Sequence, residues 1–357
     1  MVRRTAPQTE TARTRGQQNS RRETAHTPVW VLIFVLLVSS GGHVKTSRGR
    51  EMDHQTLKKR IVRHVSVLAD SIGERNIWRP ESLNDAAAYI ENEFQRSGYA
   101  VNIQSFSADS VEVRNLEAEL PGRDGGGGIV VLGAHYDSVI GCPGANDNAT
   151  GVAALIEIAR ALAGESPFHA IRFVAFVNEE PPFFQTGEMG SRMYARRCKK
   201  RNENIVGMLS LETIGYYSNE EGSQHYPFPF SLFYPNTANF VGFVGNLSSR
   251  SLVGRVKSAF ASKTDFPCES AAVPGWLTGI GWSDHWSFWQ EGYPALMVTD
   301  TALFRYDHYH TAGDTPDKIE YEQLTRVVAG LVGVAADLAG IEGEPRETGT
   351  SELELDE

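Results

Sequence analysis

Apolar residues recur along this chain with two alternating periods. Leu57, Ile61, Val62, Val65, Leu68 and Ile72 follow helical spacing, and so do Leu83, Ala87, Ile90 and Phe94. Leu116, Ala118 and Leu120 alternate as in a half-buried strand, and Pro121-Gly122 with Gly125 to Gly128 breaks the chain after them. Residues 129–134 form an unbroken apolar run, the pattern of a strand covered on both faces. Val152, Leu155, Ile156, Ala159 and Leu162 then mark one side of a helix. Buried strands are predicted at 171–177, 205–211 and 240–244. A helix near 248–262, a strand near 294–299 and a helix near 320–338 close the series. Helices alternating with doubly covered strands predict an α/β sandwich around a largely parallel sheet.

The two ends of the chain break this pattern. Residues 1–28 carry six Arg against two Glu and no apolar periodicity; the apolar run 29–38 and the small residues Ser39-Ser40-Gly41-Gly42 follow. A basic segment, a short apolar run and small residues have the layout of an export signal or a single N-terminal anchor at 29–42. On this reading the protein is secreted, periplasmic or membrane-anchored with its folded part outside the cytoplasm, and any retained anchor keeps its arginines inside. Residues 43–50 read as a polar linker and 51–340 as one folded catalytic unit. The segment 341–357 reads as an acidic tail, with seven Asp or Glu and one Arg from Glu342 onward.

Composition narrows the field further. The 357 residues carry a formal charge of −10, which argues against a broad nucleic-acid-binding surface. No run of 18 apolar residues exists, which excludes a polytopic membrane protein. Cys142, Cys198 and Cys268 are too few and too scattered for a disulfide scaffold or a thiolate zinc site.

The chemistry lies where the buried strands end. The first runs into His135-Tyr136-Asp137, the second into Asn178-Glu179-Glu180 and the third into Glu212. In open α/β sheets, ligands bind outside the carboxyl ends of strands, so three consecutive strands deliver an imidazole or a carboxylate to one edge. Imidazole nitrogen and carboxylate oxygen are ordinary Zn²⁺ ligands. His135 and Asp137 are two apart and share a strand face, so Asp137 is placed to accept the second ring N–H of His135. Asp147 stands just before a helix, where capping is the competing role; Asn148 or Thr150 would serve as cap instead. Adjacent Glu179 and Glu180 must point apart, leaving one for a metal and one for a substrate.

Several segments together resemble the di-zinc aminopeptidases, a family of co-catalytic zinc exopeptidases that also includes glutamate carboxypeptidases and animal-type glutaminyl cyclases. They are Gly133-Ala134-His135-Tyr136-Asp137-Ser138, Gly144-Ala145-Asn146-Asp147-Asn148-Ala149-Thr150-Gly151, Asn178-Glu179-Glu180-Pro181-Pro182, Met189-Gly190-Ser191, Leu211-Glu212-Thr213-Ile214-Gly215 and Tyr309-His310-Thr311-Ala312-Gly313-Asp314-Thr315. The resemblance covers roughly residues 55–338. It implies a three-layer α/β/α sandwich around a mixed, largely parallel sheet, two zinc ions per chain and a peptide substrate. His135 and Glu212 would hold one zinc, Glu180 and His310 the other, with Asp147 bridging them. Glu179 would be the general base, Asp137 the residue orienting His135, and Tyr309 a group that stabilises the tetrahedral intermediate. Asp284 would lie near the substrate's amino end or behind the ligands, although Ser283-Asp284-His285 also suits a helix start with Ser283 as cap. Glu212 departs from the family, which commonly has Asp there, and Asn146 stands where Asp is common. His308 competes with His310, and the Tyr-His-Thr context favours His310. Two other functions fit the resemblance: a glutaminyl cyclase using one zinc, and a non-catalytic binding domain of the same fold. The full set of ligand-type residues and Glu179 favours the peptidase.

Overall fold

The computed structural model describes residues 53–123 and 127–341. The N-terminal basic and apolar segments and the acidic tail from residue 342 lie outside the described residues. Among the described residues no helix is long and apolar enough to cross a membrane.

Among the described residues eight strands form one sheet: β1 (Val101–Ala108), β2 (Val111–Leu120), β3 (Ile129–His135), β4 (Ala170–Phe176), β5 (Ile205–Glu212), β6 (Val241–Asn246), β7 (Cys268–Val273) and β8 (Ala295–Thr299). Their order across the sheet is β1-β2-β4-β3-β5-β8-β6-β7. The pairs β3–β4, β3–β5, β5–β8 and β6–β7 are parallel, while β1–β2, β2–β4 and β6–β8 are antiparallel. The sheet is therefore mixed, with a parallel centre.

Side chains of the central strands alternate between two cores, as the pleat requires. Val130, Leu132 and Ala134 of β3 join Ile171, Phe173 and Ala175 of β4 in the larger core. That core also takes the apolar faces of α1 (His54–Ser66), α2 (Pro80–Arg96), α3 (Gly151–Leu162), α5 (Arg250–Lys263) and α7 (Tyr321–Ala339). Val131, Val174 and Phe176 point the other way, onto Tyr194, Ala195 and Cys198 of α4 (Gly190–Lys200) and Phe288 of α6 (His285–Trp289). Two covered faces explain why β3 reads as an unbroken apolar run and why β4 and β5 are interrupted only by Arg172 and Ser210 before their ends.

The helical pattern from Leu57 to Ile72 spans α1 and a wider helical turn, Val67–Ile72, that continues it. A carboxylate network ties α1 to its neighbours. Glu157 of α3 lies against His64 at 3.0 Å, Arg60 at 2.7 Å and Arg160 at 3.2 Å, and its side chain is fully buried.

Candidate metal centre

Strands β4, β3 and β5 are parallel neighbours, so their carboxyl ends lie side by side. His135 ends β3 and Glu212 ends β5, while Glu179 and Glu180 follow β4 after Val177 and Asn178. Asn178 at φ 59°, Thr213 at φ 43° and His310 at φ 56° are all left-handed. For Thr and His this costs roughly 1–3 kcal/mol each, strain of the kind that clusters at functional sites.

Asp147 is the centre of the arrangement. Its Oδ1 lies 3.2 Å from His135 Nε2, and its Oδ2 lies 3.0 Å from His310 Nε2. Glu212 Oε2 approaches the same nitrogen of His135 at 3.3 Å, and Glu180 Oε2 approaches that of His310 at 3.3 Å. Among the described residues three groups of donor atoms result, His135–Asp147–Glu212, Asp147–Glu180–His310 and His135–Glu179–Glu180, each compact enough to surround one ion. Glu179 Oε2 stands 4.0 Å from His135 Nε2.

The donors are held by a set of supporting contacts. The carboxylate of Asp137 accepts the backbone N–H groups of Glu179 and Glu180, both at 3.1 Å. The ring Nδ1 of His135 lies 3.2 Å from the main-chain oxygen of Asp137 and 3.5 Å from its carboxylate, so the carbonyl is the closer partner. Asp314 repeats the two-amide grip on the Asp147 loop. Its carboxylate accepts the N–H of Asn146 at 2.8 Å, the N–H of Asp147 at 3.0 Å and the hydroxyl of Tyr306 at 2.8 Å. Asn148 Oδ1 accepts the N–H of Gly151 at the start of α3, which leaves the Asp147 carboxylate free of helix capping. Ser283 donates to Glu212 Oε2 at 2.7 Å and contacts Ser210 at the same distance, so it braces a carboxylate rather than capping α6. The fully buried guanidinium of Arg75 donates to the carbonyls of Tyr136 and Gly144, joining the end of β3 to the Asp147 loop.

The electrostatics suit a cation. His135 Nε2, Asp147 Oδ1 and Glu180 Oε1 are buried without a hydrogen-bond partner. Buried polar atoms are rarely left this way, and several unpaired donor atoms converging on one spot fit a bound ion. Burial, with the Asp147 charge beside it, pushes Glu180 up to about 7, and burial also raises Glu179 and Glu212. Burial alone would lower both imidazoles, but the surrounding carboxylates outweigh it: His310 rises to about 10, and His135 stands well above its ordinary value.

Tyr309 stacks on His310 with ring centroids 3.9 Å apart and also lines a neighbouring cavity. His308 is absent from all three donor groups. Asp284 is fully buried, neither carboxylate oxygen has a hydrogen-bond partner, and burial pushes it up to about 7. The cavity beside Glu212 and Tyr309 measures about 120 Å³. It is walled by apolar side chains that include Tyr226, Phe230, Phe240, Val244, Ile280, Met297 and Phe304. The sequence reading missed Asp314, Arg75 and Ser283 as supports. Only Asp314 had a signal, its place four residues after His310 in a quoted segment.

The chain also matches known proteins. Residues 115–335 match the model of peptidase family M28. The chain is 37% identical over 313 residues to the uncharacterized protein YfbL of Escherichia coli K12, covering 85% of this chain and 94% of that protein. It is 25% identical over 255 residues to leucine aminopeptidase 1 of Arthroderma otae, covering 68% of this chain and 62% of the fungal protein. Among solved structures, BSAP, a zinc aminopeptidase from Bacillus subtilis, superimposes with a TM-score of 0.62 at 17% identity, over 81% of this chain and 96% of its own. Glutaminyl cyclase from Fimbriiglobus ruber gives a TM-score of 0.57 at 22% identity, over 78% of this chain and 94% of its own. These two share the fold. The family match, spanning most of the chain and all five donor residues, identifies the protein as a member of peptidase family M28.

Proposed function

We propose that this protein is a zinc-dependent aminopeptidase that removes the N-terminal residue of peptides. The observation that carries the reading is Asp147, whose two carboxylate oxygens face one histidine each, with a further carboxylate completing either side. His135, Asp147 and Glu212 would hold one zinc, and Asp147, Glu180 and His310 a second. Zinc bound there would supply Lewis-acid polarisation of the scissile carbonyl and a lowered pKa for an attacking water.

The remaining steps belong to the chain's own residues. Glu179 takes a proton from the attacking water and delivers it to the leaving amine; burial already raises its affinity for a proton. Tyr309, stacked against His310, donates its hydroxyl to the developing oxyanion. The apolar cavity beside Glu212 receives the side chain of the first residue. We further infer that the enzyme acts outside the cytoplasm, on the strength of the basic and apolar N-terminal segments.

The test is a screen of aminoacyl-arylamides with an N-terminal glutaminyl peptide alongside, with and without a chelator. Release of the aromatic amine, lost with chelator and restored by zinc, is expected. Ammonia release from the glutaminyl peptide alone would move the assignment to a cyclase, and no turnover despite two bound zincs would point to a binding domain.

A further inference from the structure

A second apolar feature lies on the segments that follow β3 and β4. The cavity belongs to the β5–β8–β6–β7 half of the sheet, through Glu212, Phe240, Val244, Ala271 and Met297. On the β4–β3 half, Trp78 is 47% exposed and stacks on Phe183 with ring centroids 6.2 Å apart and planes inclined by 29°. Phe183 is on the segment that follows β4 and carries Glu179 and Glu180, and its N–H donates to the carbonyl of Glu180 at 3.0 Å. Ile140, 60% exposed, stands on the loop after β3.

The two loops are tied together beneath these side chains. The N–H of Ser138 donates to the carbonyl of Arg75 at 2.9 Å, and the N–H of Arg75 donates back to Ser138 Oγ at 3.1 Å. Asn76 Nδ2 reaches the Ser138 carbonyl at 3.2 Å, and Asn76 Oδ1 accepts the N–H of Trp78 at 3.1 Å. The loop is thus fixed by polar contacts while its largest apolar side chain is left in water, as in an interface awaiting a partner.

Resting on the aminopeptidase reading, we propose that Trp78, Phe183 and Ile140 form the subsite for the residue after the scissile bond, and that the enzyme favours peptides whose second residue is aromatic or branched aliphatic. The direction of the substrate follows from the two halves of the sheet. With the first side chain in the cavity on the β5 side and the scissile bond over the donor cluster, the leaving segment runs toward β4. There the base meets its amine: Glu179 and Phe183 lie on one short stretch of chain, so the residue that receives the proton comes to rest beside the aromatic platform.

The experiment holds the first residue constant and varies the second. Hydrolysis of leucyl-phenylalanine and leucyl-alanine is measured with the zinc-loaded full chain, with Trp78→Ala and with Ile140→Ser. The wild type should favour the phenylalanine dipeptide by about tenfold in kcat/KM, the size of discrimination an apolar contact supplies. Trp78→Ala should bring that ratio close to one, and Ile140→Ser should reduce it. Equal rates for the two dipeptides in the wild type, or a ratio unchanged in both variants, would overturn the subsite while leaving the aminopeptidase assignment intact. A wild type that cleaves neither dipeptide nor any arylamide would remove the peptidase reading, and the subsite with it.

Discussion

The carboxylate of Asp314 accepts the backbone N–H of Asp147 at 3.0 Å, and through its other oxygen that of Asn146 at 2.8 Å. The residue proposed to bridge two ions is therefore aimed by a carboxylate that touches neither imidazole. In Asp314→Asn one oxygen becomes an NH₂ group facing an N–H donor, so one of these bonds must be lost. Loss of such a supporting contact typically costs 10–100-fold in metal affinity or activity. Zinc retained after dialysis against a graded chelator should fall in this variant, and Asp314→Glu should not restore it fully.

Glu179→Gln preserves shape but removes the proton acceptor. Metal content should stay at the wild-type level while turnover falls by roughly 10²–10⁴, the usual contribution of a general base. Near-normal turnover would make Glu179 an ordinary buried carboxylate.

Glu212 is held by Ser283 at 2.7 Å and faces His135 Nε2 at 3.3 Å. Glu212→Gln should lose zinc or activity severely, because an amide is a far poorer ligand than a carboxylate. Glu212→Asp keeps the charge but falls one methylene short, so intermediate activity is expected. Elemental analysis and turnover measured on both variants decide whether Glu212 is a ligand.

The Glu157 network makes stability depend on pH. Burial would raise the Glu157 carboxyl, but His64 and Arg60 hold it below its ordinary value of 4.5. A carboxylate lowered in the folded state contributes stability that is full above the unfolded value and is lost as pH falls through the folded one. Glu157→Gln should therefore destabilise the protein at pH 7 and lose less than the wild type on going below pH 4.5. Urea unfolding at pH 7 and at pH 4 measures the difference.

The N-terminal reading is tested by the mature protein itself. A cleaved signal leaves a product that starts near Gly41, whereas a retained anchor leaves the encoded start and a protein that stays with membranes through an alkaline wash. Soluble, uncleaved protein in the cytoplasm would defeat both.

What could be read from the sequence divides along physical lines. Strands β3, β4 and β5 were legible because both faces are covered, so each is largely apolar, and the residues at or just past their ends gave His135, Glu179, Glu180 and Glu212. Strand β1 was missed because it lies at the sheet edge with half of its residues exposed and one fully buried. Helix α4 was missed because Arg192, Arg196, Arg197, Lys199 and Lys200 dilute its short apolar stripe. The supports Asp314 and Arg75 act on backbone groups, and a hydrogen bond to an amide or a carbonyl leaves no mark on the residue that owns it; Asp137 was legible from its spacing to His135, but not its grip on the Glu179 and Glu180 amides. His135 needed no such mark, since its strand announced where it would emerge.

Four of the five proposed ligands lie between residues 135 and 212, and the fifth, His310, comes nearly a hundred residues later with its partner Asp314 close behind. A ribosome that has reached the end of β5 has made the three donors of the His135–Asp147–Glu212 group, but neither the Ser283 that braces Glu212 nor anything that completes the Asp147–Glu180–His310 group. A nascent or C-terminally truncated chain would thus be confined to a single ion and an unsteadied bridging loop. Order of synthesis would complete the second donor group only with the segment that leads into the final helix.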